Sequence, residues 1–218
     1  MPNYLTYNTG IELICLIVAL FSLTKDKSWA WRSVIFYLLI VCIVEFSGIY
    51  VKEVLRERNS WLYNILFVFE IAFFSLMFQN LLAKYFNSKP LIYTGLAILL
   101  LSYSIELGTQ GIFKRTHITL IIQGVVFVTY SLIYFYGLIK DERYIDLKYS
   151  AEFWWVAAVL VCYFALTSLN VFYKELSKVL AKPNEAFRFI IIASNFFLYA
   201  LWAYSFICRK WLTTKSKI

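Results

Sequence analysis

Seven stretches of the chain are apolar almost throughout: residues 4–23, 33–51, 61–82, 91–107, 117–139, 151–173 and 186–207. Each is close to the ~20 residues that carry a helix across a ~30 Å hydrocarbon core. None alternates polar with apolar as the shorter strands of a membrane barrel would. Lipid itself demands helix, because backbone amides there find partners only within their own segment. The pattern predicts an all-α, polytopic membrane protein: a seven-transmembrane-helix bundle forming one domain over residues 1–218.

The segments between these runs, such as "KEVLRERNS" and "KDERYIDLKYS", are short and charged. They leave no room for a second folded domain, which excludes kinase, ATPase and nucleic-acid-binding modules. Composition agrees. The chain is 61% hydrophobic and 16% charged, against about 45–50% and about 25% in soluble domains. Its net charge of +8 does not indicate nucleic acid. The basic residues are spread over both sets of loops without an aromatic-interleaved patch, as expected of residues flanking membrane helices.

Those loops give an orientation. With the N-terminus outside, the inner side holds 12 Lys and Arg, among them Lys25, Lys27, Arg143 and Lys217, and the outer side holds 9. The positive-inside rule then favours N-out, C-in. Trp29, Trp31, Trp154, Trp155 and Trp211 fall at the proposed inner interface and Trp61 at the outer one. No basic n-region or small-residue cleavage site precedes the first run, so it is expected to be retained. The expected location is the cell membrane, as a multi-pass protein of the bacterial inner membrane.

Candidate chemistry lies in the few polar residues inside the runs. At ~1.5 Å per residue, Glu70 sits roughly 13 Å below the outer face, and Glu12 and Glu45 each about 12 Å below it. Three carboxylates on three consecutive helices thus share one depth. Asn195 reaches the same layer, Gln123 lies a few Å higher and Glu106 higher still. Residues three, four or seven apart share a helix face. Asn8, Glu12 and Cys15 form one stripe, Glu45, Gly48 and Lys52 another, and Arg188, Asn195 and Tyr199 a third. Arg188 is placed to lean over the carboxylates as a counter-charge.

Two readings compete. In one, protonated glutamates bond to Asn, Gln and Tyr and hold the helices together, at under ~1 kcal/mol each. In the other, Glu12, Glu45, Glu70, Asn195, Gln123, Glu106 and Arg188 line a polar pocket for a ligand or protons. Three carboxylates, each costing about 2–3 kcal/mol to insert, favour the pocket. Within it they would repel one another unless protonated, paired with Arg188 or neutralised by a bound cation.

No enzyme chemistry stands out. His117 is the single histidine, too few for a zinc site, and no partners for a nucleophile are evident beside it. The last run has no lysine before Lys210 for a retinal Schiff base. No cofactor and no metal ligands are assigned. Cys15, Cys42, Cys162 and Cys208 form no CxxC pair and are expected to be buried structural thiols.

Residues 49–76 and 171–201 are alike. Each ends a helix with Tyr and "KE", crosses a short basic loop and returns with an aromatic run that pairs Glu70 with Asn195. This suggests a three-plus-one-plus-three parallel repeat with the fourth helix as linker, an architecture found in small sugar transporters of the SWEET type. Chance likeness between aromatic-rich helices is the other explanation.

Glu45, "NSWLYN" (Asn59–Asn64) and "FE" (Phe69–Glu70), in that order, resemble a family of small seven-helix integral membrane proteins common in Bacteroidota. The resemblance covers nearly the whole chain. It implies the topology, marks Glu45 and Glu70 as family-typical positions and supplies no activity. The expected function is a membrane-embedded receptor-like or accessory subunit. It would bind a small polar or cationic ligand, or protons, from outside and signal to a protein partner at the cytoplasmic loops. The alternatives are a small-solute or ion transporter and an oligomeric membrane-perturbing effector. The lipid bilayer is a partner in each case, and a homo-oligomer is open.

Overall fold

The structure is a computed structural model that describes residues 6–142, 146–179 and 182–215. Tyr4, Arg143 and Lys217, used above, lie outside the described residues. Eight α-helices follow one another: α1 (Tyr7–Leu23), α2 (Trp29–Glu53), α3 (Ser60–Leu82), α4 (Lys89–Gln110), α5 (His117–Lys140), α6 (Ala151–Val171), α7 (Tyr173–Val179) and α8 (Pro183–Lys215). A 3-10 turn, Leu147–Tyr149, precedes α6. There is no strand among the described residues. Helices α2, α3, α4, α5, α6 and α8 are long and apolar enough to cross a membrane, and α1 is a shorter apolar helix of 17 residues. Six such helices point to a multi-pass membrane protein.

The helix ends depart from the expected ones for local reasons. Helix α2 starts at Trp29 rather than residue 33, because Ala30, Trp31 and Val34 continue its buried face. The sixth apolar run is broken at Phe172, after which α7 forms a separate seven-residue helix. Helix α8 runs on past residue 207 to Lys215. Helix α1 is fastened at its start by a reciprocal cap: Thr6 N–H donates to Thr9 Oγ1 at 2.8 Å and Thr9 N–H to Thr6 Oγ1 at 3.3 Å. Two of the tryptophans expected at the inner interface face the inside of the bundle. Trp31 is 1% and Trp155 0% exposed, whereas Trp29 and Trp211 are open.

Helices α1, α2, α3, α5, α6 and α8 close a ring in that order, each packed on the next and α8 back on α1. Helix α4 packs chiefly on α3 and α5 from outside. Only 28% of its apolar window is buried, against 50% for α3. Consecutive long helices run in opposite directions. The end where α1, α3, α5 and α8 begin is termed the amino end.

Apolar contact alone does not drive helices together in lipid, so close packing must. Rings fill the centre of the bundle. Phe74 stacks on Phe127 at 4.5 Å, Tyr37 on Phe73 at 4.2 Å and Trp155 on Trp202 at 5.5 Å. These six residues come from α2, α3, α5, α6 and α8, and form one aromatic layer. Small residues allow the outer contacts. A Cβ on Gly95 would collide with the Tyr130 hydroxyl, and one on Gly124 with Thr167 Oγ1.

The end opposite the amino end is fastened by polar contacts. Arg209 clamps Asp26 with Nε–Oδ2 at 2.8 Å and Nη2–Oδ1 at 3.3 Å, and lies over the Trp31 ring. Lys84 pairs with Glu152. Ser205 Oγ donates to the Ala151 carbonyl at 2.7 Å.

Candidate functional site

At the amino end, α1, α2, α7 and α8 surround an open cavity of about 460 Å³. Asn8 comes from the first turn of α1, Glu45 from the last third of α2 and Arg188 from the second turn of α8. Tyr7, Tyr173 and Phe187 supply rings, the last two stacked at 4.5 Å. Glu45 and Arg188 therefore line one volume. They do not touch: Arg188 makes no ion pair or hydrogen bond among the described residues.

Glu45 is half-buried, and its Oε2 accepts a hydrogen bond from the Tyr63 hydroxyl at 3.2 Å. Glu12, one turn along α1 from Asn8, is 3% exposed, and its Oε2 has no hydrogen-bond partner among the described residues. Its charge is within electrostatic reach of Glu45 and Tyr199. The pocket thus has a carboxylate on its wall and a second, unsatisfied carboxylate near it.

Glu70 stands apart from the lining. Its Oε1 accepts from the Tyr163 hydroxyl of α6. Gln123 of α5 lies beside the same carboxylate, with its Nε2 buried and making no hydrogen bond of normal geometry. Arg115, in the loop before α5, is within electrostatic reach of Glu70. Tyr37 is within electrostatic reach of both Glu70 and Glu12. Among the described residues no three His, Cys, Asp or Glu side chains converge as a metal site would need. The three glutamates are a pair plus one, not a cage.

Glu106 and Asn195 are placed elsewhere. Glu106 caps α5 from the neighbouring helix. Its Oε1 accepts from Ile118 N–H at 3.1 Å, and its Oε2 from Thr119 N–H at 2.8 Å and Thr119 Oγ1 at 2.7 Å. A carboxylate there meets the partial positive charge of a helix start. Asn195 is half-buried on α8 between Arg188 and Tyr199, off the cavity wall and without a hydrogen bond among the described residues. The four cysteines are buried and free.

Sequence reasoning passed over three partners. Tyr63 and Asn64 lie in the quoted "NSWLYN" motif, which gave neither of them a role. Tyr63 holds Glu45. Asn64 Nδ2 donates to the carbonyls of Ile112 and Lys114 at 2.7 and 2.8 Å, pinning the α4–α5 loop to α3. Tyr163 was one tyrosine among many, and no local pattern points from it to Glu70.

A second hollow of about 700 Å³ lies at the opposite end, against Lys84, Tyr85, Tyr136 and Lys140. It shares no lining residue with the first. The aromatic layer occupies the bundle centre beneath the amino-end pocket. Compared with known protein families, curated proteins and solved structures, the chain matches none.

Proposed function

We propose that the protein is a membrane-embedded receptor-like or accessory subunit whose amino-end pocket binds a small polar or cationic ligand, or protons. One observation carries the reading: a single helix connects the pocket to the far end. Helix α8 presents Arg188 to the cavity, Tyr199 to Glu12, Trp202 to the aromatic layer and Arg209 to Asp26 in the α1–α2 turn. A ligand that moves Arg188 therefore acts on one rigid element whose other end meets the loops. In this reading α1 is a seventh crossing, the amino end faces outside and the protein partner docks on the cytoplasmic loops. The pocket is open at one end and backed by packed rings, which suits binding better than passage.

The second reading, a small-solute or ion transporter, draws on the ring itself. Exchanging α1 with α5, α2 with α6 and α3 with α8 maps every ring contact onto another and leaves α4 outside. Buried positions also correspond. Glu12, Leu16, Ala19 and Leu23 of α1 match Gln123, Phe127, Tyr130 and Tyr134 of α5 at equal spacing. Phe73, Phe74, Met77 and Leu81 of α3 match Leu198, Tyr199, Trp202 and Phe206 of α8. Both sets support the three-plus-one-plus-three repeat, a plan used for transport. Proton and alkali-cation flux into liposomes separates the readings. The receptor reading expects no flux above that of empty liposomes; protein-dependent flux abolished by Glu45→Gln would replace it with the transporter reading.

A further inference from the structure

The ligand chemistry can be narrowed, on the basis of the pocket reading above. We infer that the amino-end pocket takes a zwitterion: a molecule with an ammonium group at one end, an acid group at the other and an apolar portion between or beside them.

Two charged side chains without an ion-pair partner among the described residues line one cavity. Arg188 offers a guanidinium with no ion-pair partner among the described residues. Glu45 offers a carboxylate of which one oxygen is occupied by Tyr63. Within 4 Å they would form a salt bridge, and none is formed, so a gap remains between opposite charges that line the same wall. A simple cation would satisfy Glu45 and meet repulsion from Arg188. A simple anion would satisfy Arg188 and meet Glu45, with Glu12 close behind it. A ligand with both charges satisfies each end, and the guanidinium suits a planar or tetrahedral acid group because it donates two parallel bonds. The rest of the wall fits the remainder of such a molecule. Asn8 and Asn184 offer amide donors and acceptors, while Ile49, Phe187 and Ile191 are apolar. About 460 Å³ lies within the usual range for small-ligand sites.

Two sources carry this chemistry: free α-amino acids, and the phosphoethanolamine headgroup of a membrane lipid. The pocket opens at the end of the bundle, where either can reach it.

The test is a thermal-shift titration of the purified full chain in detergent. The probes are the common α-amino acids and O-phosphoethanolamine, each beside an analogue lacking the amine and one lacking the acid. A parallel arm compares stability in nanodiscs of phosphatidylethanolamine and of phosphatidylglycerol. The expected result is that at least one zwitterion stabilises the protein while both of its single-charge analogues bind about tenfold or more weakly. Arg188→Gln should erase the advantage over the amine alone, and Glu45→Gln the advantage over the acid alone. Both substitutions leave Tyr63 and the helix termini in place. A free amino acid is the source if the soluble arm responds, and a lipid if only the nanodisc arm does. An amine binding as well as its zwitterion, dependent on Glu45 and indifferent to Arg188, overturns the inference and leaves the pocket reading standing. No response in any arm, with both variants indistinguishable from the native chain, removes both.

Discussion

The hydroxyl of Tyr163 on α6 donates to Glu70 on α3, joining two helices that are not neighbours in the ring. Glu70→Gln keeps an acceptor for Tyr163 and should change stability in detergent by less than ~1 kcal/mol. Glu70→Leu strands the phenol, and removes the carboxylate beside the Gln123 amide, at a cost of about 1–3 kcal/mol. Chemical denaturation in micelles measures both. A Glu70→Gln protein with native stability and an unchanged cellular phenotype assigns Glu70 to helix pairing alone.

Asn64 should be a structural hot point although it lines neither of the two cavities described above. Asn64→Leu leaves two loop carbonyls without their donor, costing about 0.5–1.5 kcal/mol for each bond lost. Hydrogen exchange should rise in residues 111–116, and nowhere else to the same extent. Unchanged exchange there would mean that the loop is held by something other than Asn64.

The helical nature of the apolar segments was plain from their length and unbroken apolarity, because lipid permits few alternatives. The expected repeat made the fourth helix a linker, but where it would pack was not legible. The placement of α4 depends on Tyr130 reaching under Gly95 and Tyr103 donating to the Asn64 carbonyl at 2.6 Å, contacts between residues 35 or more apart in the chain. Trp31 and Trp155 misled because a tryptophan near a helix end reads equally as a membrane anchor or as core. Rise per residue set Glu12, Glu45 and Glu70 at one expected depth. It could not divide them into Glu12–Glu45 and Glu70–Tyr163, since that turns on which side chain each carboxylate meets.

Close approach of α5 and α6 at Gly124 predicts a suppressor pair. Gly124→Ala pushes a methyl group onto Thr167 and should destabilise by about 1–3 kcal/mol. Adding Thr167→Ala removes the colliding hydroxyl and should recover most of the loss. Thermal melts of the two single variants and the double variant form the cycle. Simple additivity would contradict the contact.

The clamp between Arg209 and Asp26 should be more than a fastening if α8 transmits the state of the pocket. Asp26 is 6% exposed, so Arg209→Ala leaves a buried carboxylate without its counter-charge, held among the described residues only by the Ser28 N–H at 2.7 Å, at a cost of about 3–5 kcal/mol. Arg209→Lys keeps the charge without the two-point grip. It should fold, bind at the amino end as the native chain does, and lose the cellular response. Retained response in Arg209→Lys would place transmission elsewhere.

The central claim is a pocket reached from one face only and closed beneath by aromatic packing. Cysteine accessibility in intact and inverted membranes tests it most directly, because Cys15, Cys42, Cys162 and Cys208 are all buried and give a quiet background. Asn8→Cys and Ile49→Cys should react with a membrane-impermeant maleimide from the outer face alone, Lys84→Cys from the inner face alone, and Phe74→Cys from neither. Labelling of Ile49→Cys from both faces, or of Phe74→Cys from either, would contradict a closed receptor pocket and indicate a path through the bundle.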